Sequence, residues 1–441
     1  MNKTLLGSLA FVGGLALATT TGVSAQQKSS YAELDQLMDV YNRVRADYVE
    51  QVDDKVLIKG AIDGMLAALD PHSSFLEASD FRSLRTQTDG NYGGLGLTVT
   101  MEDGAVKVIA PTEDTPAFRA GMKANDYLTH IDGKLLYGGT LDEAVESMRG
   151  APGTKITITV VRPGRDKPFD VTLVRERIEL KPVKWEVRDR IGVININTFS
   201  AQTAAATQAA MVAVDKAVGG STGQRPLGYV IDLRSNPGGL LDQAIEVSDT
   251  FLDRGEIVSE RGRKKEDIER FYAKPGDFAH GLPIVVLVDA GSASAAEIVA
   301  GALQDHRRAL VMGETSFGKG SVQTLLQLSD ETALRLTTAR YYTPSGRSVQ
   351  AGGIRPDIAV PQLTDPDYKT RPRLREADLR RALLRESKVT DDVLEDDSKP
   401  DPRFTATAAE LEKAGVKDYQ LDYALKTLKR LAVPPVKTAA N

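Results

Sequence analysis

Residues 283 to 312, PIVVLVDAGSASAAEIVAGALQDHRRALVM, hold the pattern that decides the fold. Pro283 to Val288 is a short apolar run bounded by turn residues and reads as a buried strand, Ala295 to His306 as a helix, and Ala309 to Met312 as a further strand. Working outward, the same alternation precedes it: strand Ile191 to Ile196, helix Thr203 to Val218, strand Gly228 to Leu233, helix Leu240 to Leu252. Such alternation predicts βαβ units and a largely parallel sheet covered on both faces. Open sheets of this kind place ligands at the C-terminal ends of their strands. Two loops fall there, Asp232-Leu-Arg-Ser-Asn-Pro-Gly-Gly239 and Ala290-Gly-Ser-Ala-Ser294.

Ser294, at the strand-to-helix junction, and Lys319, in Ser316-Phe-Gly-Lys-Gly320, read as a nucleophile and its base. A serine hydroxyl needs a proton acceptor within hydrogen-bond reach, and a desolvated lysine supplies one in place of histidine. An ammonium of ordinary pKa, about 10.4, accepts no proton at neutral pH, so Lys319 must be enclosed, and Gly318 and Gly320 permit tight enclosure. His306 lies on the same predicted helix, about 18 Å along its axis from Ser294, too far to serve it. Asp305 reads as a structural carboxylate at the helix end, with a catalytic acid as the alternative. Gly313-Glu-Thr-Ser-Phe-Gly-Lys-Gly320 resembles a phosphate-binding loop, but Gly320 stands where the metal-binding hydroxyl belongs, and Ser321 to Tyr342 reads as a β-hairpin rather than a helix. The four histidines, His72, His130, His280 and His306, lack ligand spacing, so no metal is expected.

Composition narrows the classes. The 441 residues, 41% hydrophobic, exceed what one core needs, and the net charge of −5 without basic blocks argues against nucleic acid. Absence of cysteine excludes disulfides, thiol catalysis and lipidation on cysteine. Lys3, the apolar run Leu5 to Leu17 and Val23-Ser24-Ala25 read as a secretory signal peptide cleaved after residue 25, which places the protein in the periplasm of a bacterial envelope, with an inner-membrane association open. The competing reading of that run is a retained anchor.

Tyr31 to about Phe81 carries helical periodicity (Leu34, Leu37, Met38, Tyr41, Val44, Tyr48; then Val56, Ile58, Ile62, Met65, Leu66), stopped by Asp70-Pro71. It fits a helical hairpin packed on something larger or a dimerisation arm. Asn91 to Arg175 is glycine-punctuated β-structure, with strands at Leu95 to Thr100, Val106 to Ile109 and Ile156 to Val161 and a helix at Leu141 to Met148. Tyr92-Gly-Gly-Leu-Gly-Leu97, followed by Ala117-Phe-Arg-Ala-Gly-Met122 and Asn125-Asp-Tyr-Leu-Thr-His-Ile-Asp-Gly133, resembles a PDZ domain. That resemblance implies capture of a protein C-terminus at Gly94, Leu95, Gly96 and Leu97 by strand addition. After Gln362 the chain reads as an accessory tail, with an assembly arm as the alternative: a charged helix from Leu374 to Ser387, an acidic linker from Asp391 to Asp401 and a last helix from Tyr419 to Leu431.

Ser292-Ala-Ser-Ala-Ala-Glu-Ile298, Ala300-Gly-Ala-Leu-Gln-Asp305, Ser316-Phe-Gly-Lys-Gly-Ser-Val-Gln323 and Tyr342-Thr-Pro-Ser-Gly-Arg347 resemble the carboxy-terminal processing proteases, tail-specific serine peptidases of family S41. With Asp70-Pro-His-Ser-Ser-Phe75 and Ser235-Asn-Pro-Gly-Gly239, the similarity runs from about residue 30 to 362. It implies Ser294 as nucleophile, Lys319 as base, Gln323 as the uncharged residue orienting the lysine, and backbone N–H groups of Ala295 and Gly238 as the oxyanion hole. The implied fold is a multidomain α/β protein: a core sheet with covering helices of the crotonase and ClpP-like kind, an inserted PDZ domain and helical ends. The divisions expected are 1–25 signal peptide, 26–85 helical region, 86–176 PDZ domain, 177–362 protease core and 363–441 tail. No cofactor is expected. Expected partners are unfolded or tail-exposed envelope proteins, with an adaptor or lipoprotein, or a second copy of the chain, as further candidates. Two rival classes stay open, a non-catalytic PDZ scaffold and acyl-CoA chemistry on a crotonase-like core.

Overall fold

The computed structural model describes residues 20–220, 223–368, 370–371, 373–383 and 403–432, with side chains from residue 31 onward. The expected signal peptide lies outside the described residues except for the backbone of its last six positions, and the acidic linker lies outside them altogether. The chain divides between Leu69 and Asp70 into two units. The first holds α1 (Thr20–Asp47) and α2 (Asp54–Ala67), the latter begun by Asp53, whose carboxylate accepts from the Lys55 N–H. Both helices follow the periodicity. Part of the apolar stripe is nevertheless exposed: Leu34 is 55% exposed, Met38 49% and Val56 63%, whereas Leu66 is buried.

The second unit opens with a turn. The Asp70 carboxylate accepts from the His72 and Ser73 N–H groups and from Ser73 Oγ, which satisfies the backbone where Pro71 ends helical geometry. Then come β1 (Ser74–Leu76), α3 (Ala78–Asp89) and β2 (Asn91–Gly94). The β-rich module follows, with β3 (Leu97–Glu102), β4 (Ala105–Pro111), α4 (Pro116–Arg119), β5 (Tyr127–Ile131), β6 (Lys134–Leu135), α5 (Leu141–Met148), β7 (Lys155–Val161) and β8 (Phe169–Val174). Its antiparallel sheet runs β3-β4-β5-β7-β8, with β6 on β5, so β3 is an edge strand. Alternation along β7 turns Ile156, Ile158 and Val160 inward, where α5 closes the core with Ala144 and Met148. Thr140 and Glu143 form a capping box that starts α5. Next, β9 (Glu176–Glu179) pairs antiparallel with β2 and ties the two ends of the module together.

The remaining elements in order are β10 (Val183–Arg188), β11 (Ile191–Ile196), α6 (Thr203–Gly219), β12 (Gly228–Asp232), α7 (Leu241–Asp249), β13 (Glu256–Arg261), β14 (Ile268–Tyr272), β15 (Ile284–Val288), α8 (Ala295–Asp305), β16 (Ala309–Gly313), β17 (Ser321–Gln327), β18 (Ala333–Tyr342), β19 (Ile358–Ala359), α9 (Ala408–Lys413) and α10 (Tyr419–Ala432). The main sheet is β10-β11-β12-β15-β16-β19, parallel throughout except for β10 at its edge. The β15 run is apolar without alternation because both faces are covered. Val286 and Val288 face α6, α7 and α8 with Met211, Val247 and Val299, whereas Val285 and Leu287 face α10 with Leu421, Ala424, Leu425 and Leu428.

That second layer corrects the reading of the tail as accessory. At about 1.5–3 kcal/mol for each fully buried large apolar side chain, α10 is a structural member of the core. The charged helix expected from Leu374 is also corrected. Up to residue 383 the chain forms only a 3-10 turn, Glu376–Asp378, because the segment has no apolar stripe and instead turns Glu376 inward to 0% exposure. A smaller sheet, β1-β18-β13-β14 with β17 on β18, contains the expected hairpin and binds the segment after Asp70 to it.

Candidate active site

Ser294 stands where β15 has ended and α8 begins, with φ 54° and ψ −114°, a region that side-chain-bearing residues seldom occupy. Its own N–H donates at 2.7 Å to Glu297, one helical turn on, which holds the sharp bend. Small neighbours keep the site open without exposing it: Ser294 is 9% exposed, and Ala293 and Ala295 are buried. The Ala295 N–H, at the first turn of α8, donates to nothing among the described residues and is available to a developing oxyanion at the positive end of the helix.

Glu297 is the residue that sequence reasoning missed. It is fully buried, and its carboxylate gathers four donors: the Ser294 N–H, the Gly318 N–H at 2.7 Å, the Lys319 N–H at 2.9 Å and the Ser316 hydroxyl. One side chain therefore ties the backbone of Ser294 to the backbone of Lys319. Burial pushes its carboxyl up to about 7, and the four donors pull the other way. A signal was present, since Ser294 and Glu297 have capping-box spacing.

Lys319 is half-buried. Burial, followed by the charge of Arg335, holds its ammonium below the ordinary lysine range, while Glu376, Glu297 and Asp70 oppose that shift. Its Nζ has no hydrogen-bond partner among the described residues, and no bond joins it to Ser294 Oγ. Gln323 is turned elsewhere: its Nε2 donates to Ser321 Oγ at 2.9 Å and Thr337 Oγ1 at 3.4 Å, and its amide does not meet Lys319. Thr337 in turn donates to Asp70, so Gln323 belongs to the network that joins β18 to the turn before β1.

Gly238 lies beside Ser294. A Cβ built there would stand 2.8 Å from Ser294 Cβ and 3.0 Å from the Ala295 nitrogen, at φ +100°, so only glycine fits. Its N–H, expected as the second oxyanion donor, instead donates to Asn236 Oδ1 at 2.8 Å, because the buried Asn236 amide is itself fixed to the Ile196 carbonyl. In this arrangement the Ala295 N–H is the free donor beside Ser294, with Gly238 packed against it. The rival base is placed out of reach as well: His306 Nε2 bonds the Glu256 carbonyl at 2.7 Å. Asp305 accepts from the Ser345 N–H and pairs with Arg347, serving the loop after β18. No cluster with metal-ligand character occurs among the described residues.

A second concavity, about 340 Å³, runs between β3 and α5 and brings together Gly94, Leu95, Gly96 and Leu97 with Val145 and Met148. Gly96 has φ +77°, and a Cβ there would fall 2.3 Å from the Thr115 side chain. The unpaired edge of β3 faces this groove, the arrangement that accepts an added strand. Thr86 and Gln87 of α3 form its outer wall.

A strained serine at a strand-to-helix turn, a desolvated lysine fixed to it through one carboxylate and a helix-start donor define a serine-type peptidase core, and it carries a strand-accepting module. Models of known families agree: the S41 peptidase family matches residues 190–360, a PDZ domain residues 93–173, and the N-terminal domain of the activating protease CtpB residues 15–79. A carboxy-terminal-processing protease of Bartonella bacilliformis is 50% identical over 365 residues, 81% of this chain and 83% of that protein. A probable CtpA-like serine protease of Staphylococcus aureus is 35% identical over 341 residues, 77% of this chain and 67% of that protein. The solved photosystem II D1 C-terminal processing protease is 30% identical, covering 74% of this chain and 86% of its own, with TM-score 0.44. The chain belongs to peptidase family S41. It is a serine peptidase with an inserted PDZ domain, as its motifs and α/β core led us to expect.

Proposed function

We propose that this protein is an endopeptidase that takes the C-terminus of an unfolded protein in its PDZ groove and cleaves the chain at Ser294 with Lys319 as base. The observation that carries the reading is the buried Glu297 carboxylate, which fixes the Ser294 and Lys319 backbones to one another. Ser294 Oγ attacks the scissile carbonyl carbon and its proton passes to Lys319. The oxyanion faces the Ala295 N–H, the protonated lysine returns the proton to the leaving amine, and water then releases the acyl group by the same route. Gln323, bonded to Ser321 and Thr337 in this state, would have to turn toward Lys319 to orient it, and as an uncharged amide it would do so without favouring the protonated lysine. Wild type should cut an unfolded protein ending in apolar residues and react with an acylating active-site probe, and Ser294→Ala and Lys319→Ala should do neither. Cleavage by either variant refutes the assignment.

Because Ser294 Oγ and Lys319 Nζ are not bonded in this state, the reading includes a shift toward an aligned site when a chain end is bound. A peptide with a free terminal carboxylate should then speed probe labelling and its amidated form should not; equal rates for both would sink the gating. The N-terminal pattern supports export to the periplasm, checked by fractionating cells that express the full chain. The exposed part of the stripe, with Leu34, Met38 and Val56, supports pairing with a second copy, which sedimentation would detect and which Met38→Asp should abolish.

A further inference from the structure

The Lys319 loop is held on two sides. Its inner side is bound by Glu297. On its outer side the Glu376 N–H donates to the Phe317 carbonyl at 3.1 Å, the Gly320 N–H donates to Gln350 Oε1 at 3.0 Å, and the Ala351 N–H donates to the Gly318 carbonyl at 2.8 Å. Gln350 is itself oriented, because its Nε2 donates to Glu376 Oε1 at 3.0 Å and to the Leu383 carbonyl at 3.2 Å. The Glu376 carboxylate also meets His72 Nε2 at 2.9 Å. Glu376 and Gln350 are both at 0% exposure. A carboxylate buried in this way, with no lysine or arginine paired to it among the described residues and three chain segments meeting on it, needs an explanation beyond packing.

We propose that Glu376 is a positioning residue for the base: through Gln350 and its own backbone it fixes the 317–320 loop, so the segment following the core sheet sets where Lys319 stands. The proposal rests on the Ser294–Lys319 reading above. It assigns a role in catalysis to a part of the chain that lies 57 residues beyond the base and touches no reacting atom. The charged groups facing Lys319 are Arg335 on β18, Glu297 on α8, Asp70 in the turn before β1 and Glu376 itself. Glu376 therefore acts in two separable ways, by hydrogen bonds that hold the loop and by a negative charge that favours the protonated lysine.

Two substitutions separate them. Glu376→Ala removes the charge and the carboxylate's bonds to Gln350 and His72 and leaves only the backbone bond to Phe317; misplacing a reacting group by about 1 Å can cost about 100-fold in rate, so kcat should fall on that order while KM for a tailed substrate stays unchanged. Glu376→Gln keeps an oxygen for Gln350 and a nitrogen for His72 and should rescue most of kcat, with the acidic limb of kcat/KM moved to lower pH because one opposing charge is gone. Gln350→Ala, which removes the Gly320 acceptor and leaves the charge, should lower kcat without moving the limb. Melting temperatures identify any variant that does not fold, and Gln350→Ala then decides against wild type. Wild-type kcat in Glu376→Ala or Gln350→Ala, or a Glu376→Gln variant as impaired as Glu376→Ala, overturns the proposal. A wild type that the acylating probe does not label, or an active Lys319→Ala, overturns the underlying reading instead.

Discussion

Gly238→Ala tests the geometry of the oxyanion site directly. The new methyl would stand 2.8 Å from Ser294 Cβ and from the Ala293 carbonyl oxygen and 3.0 Å from the Ala295 nitrogen, closer than carbon tolerates, and these are backbone or short rigid groups that cannot swing aside. Two costs follow. The backbone at φ +100° strains any residue with a Cβ by about 1–3 kcal/mol, which lowers the melting temperature. Crowding at Ala295 removes the free donor from the developing oxyanion, and loss of one such donor lowers kcat by about 10²- to 10³-fold, about 3–4 kcal/mol. Gly153→Ala separates the two, because Gly153 has φ +89° with nothing within 4 Å of its would-be Cβ. The control should lose comparable stability and keep full probe labelling. Steady-state kcat, probe labelling rate and calorimetry on the two variants and wild type complete the comparison. Gly238→Ala with wild-type kcat would refute the placement of the oxyanion beside Ala295 and Gly238.

Three further outcomes are expected. Leu428→Ala, at a position with 0% exposure under the main sheet, should destabilise by about 2–5 kcal/mol in denaturant unfolding, whereas an appended tail would give almost no change. Glu260→Gln tests linkage: burial, then Glu269 and Asp242, push the Glu260 carboxyl up to about 7, so its contribution is complete below the unfolded carboxylate range and is lost as pH rises through about 7. The variant should gain about 1–2 kcal/mol on wild type at pH 9 compared with pH 5, a figure reduced for partial exposure, and an equal gap at both pH values contradicts the shift. Arg335→Gln removes the charge that, after burial, most depresses the Lys319 ammonium, so the ascending limb of kcat/KM should move to higher pH; a limb that stays in place argues against Lys319 as the titrating base.

Local chemistry made much of this protein legible. Strands β11, β12, β15 and β16 fall within a residue or so of where apolar runs and turn residues place them, because a strand buried on both faces must be apolar at every position. Ser294 and Lys319 stand out in the same way: small residues at a strand-to-helix turn and glycines flanking a lysine leave a pattern in consecutive residues. The edge strand β10 and the β13–β14 hairpin were missed, since their partly exposed residues lack that continuous run.

Sequence by itself therefore determined the core strands and helices around Ser294, the motifs and the family. Tertiary structure decided which groups act together. That Glu297 binds both loops, that Asn236 occupies the Gly238 N–H, that α10 covers the far face of the sheet and that Glu376 returns to the Lys319 loop all depend on hydrogen bonds and packing that the finished fold brings about. The physical reason is range. Periodicity and turn chemistry act over a few neighbouring residues, whereas a buried polar group takes whichever partner the finished fold brings within about 3 Å.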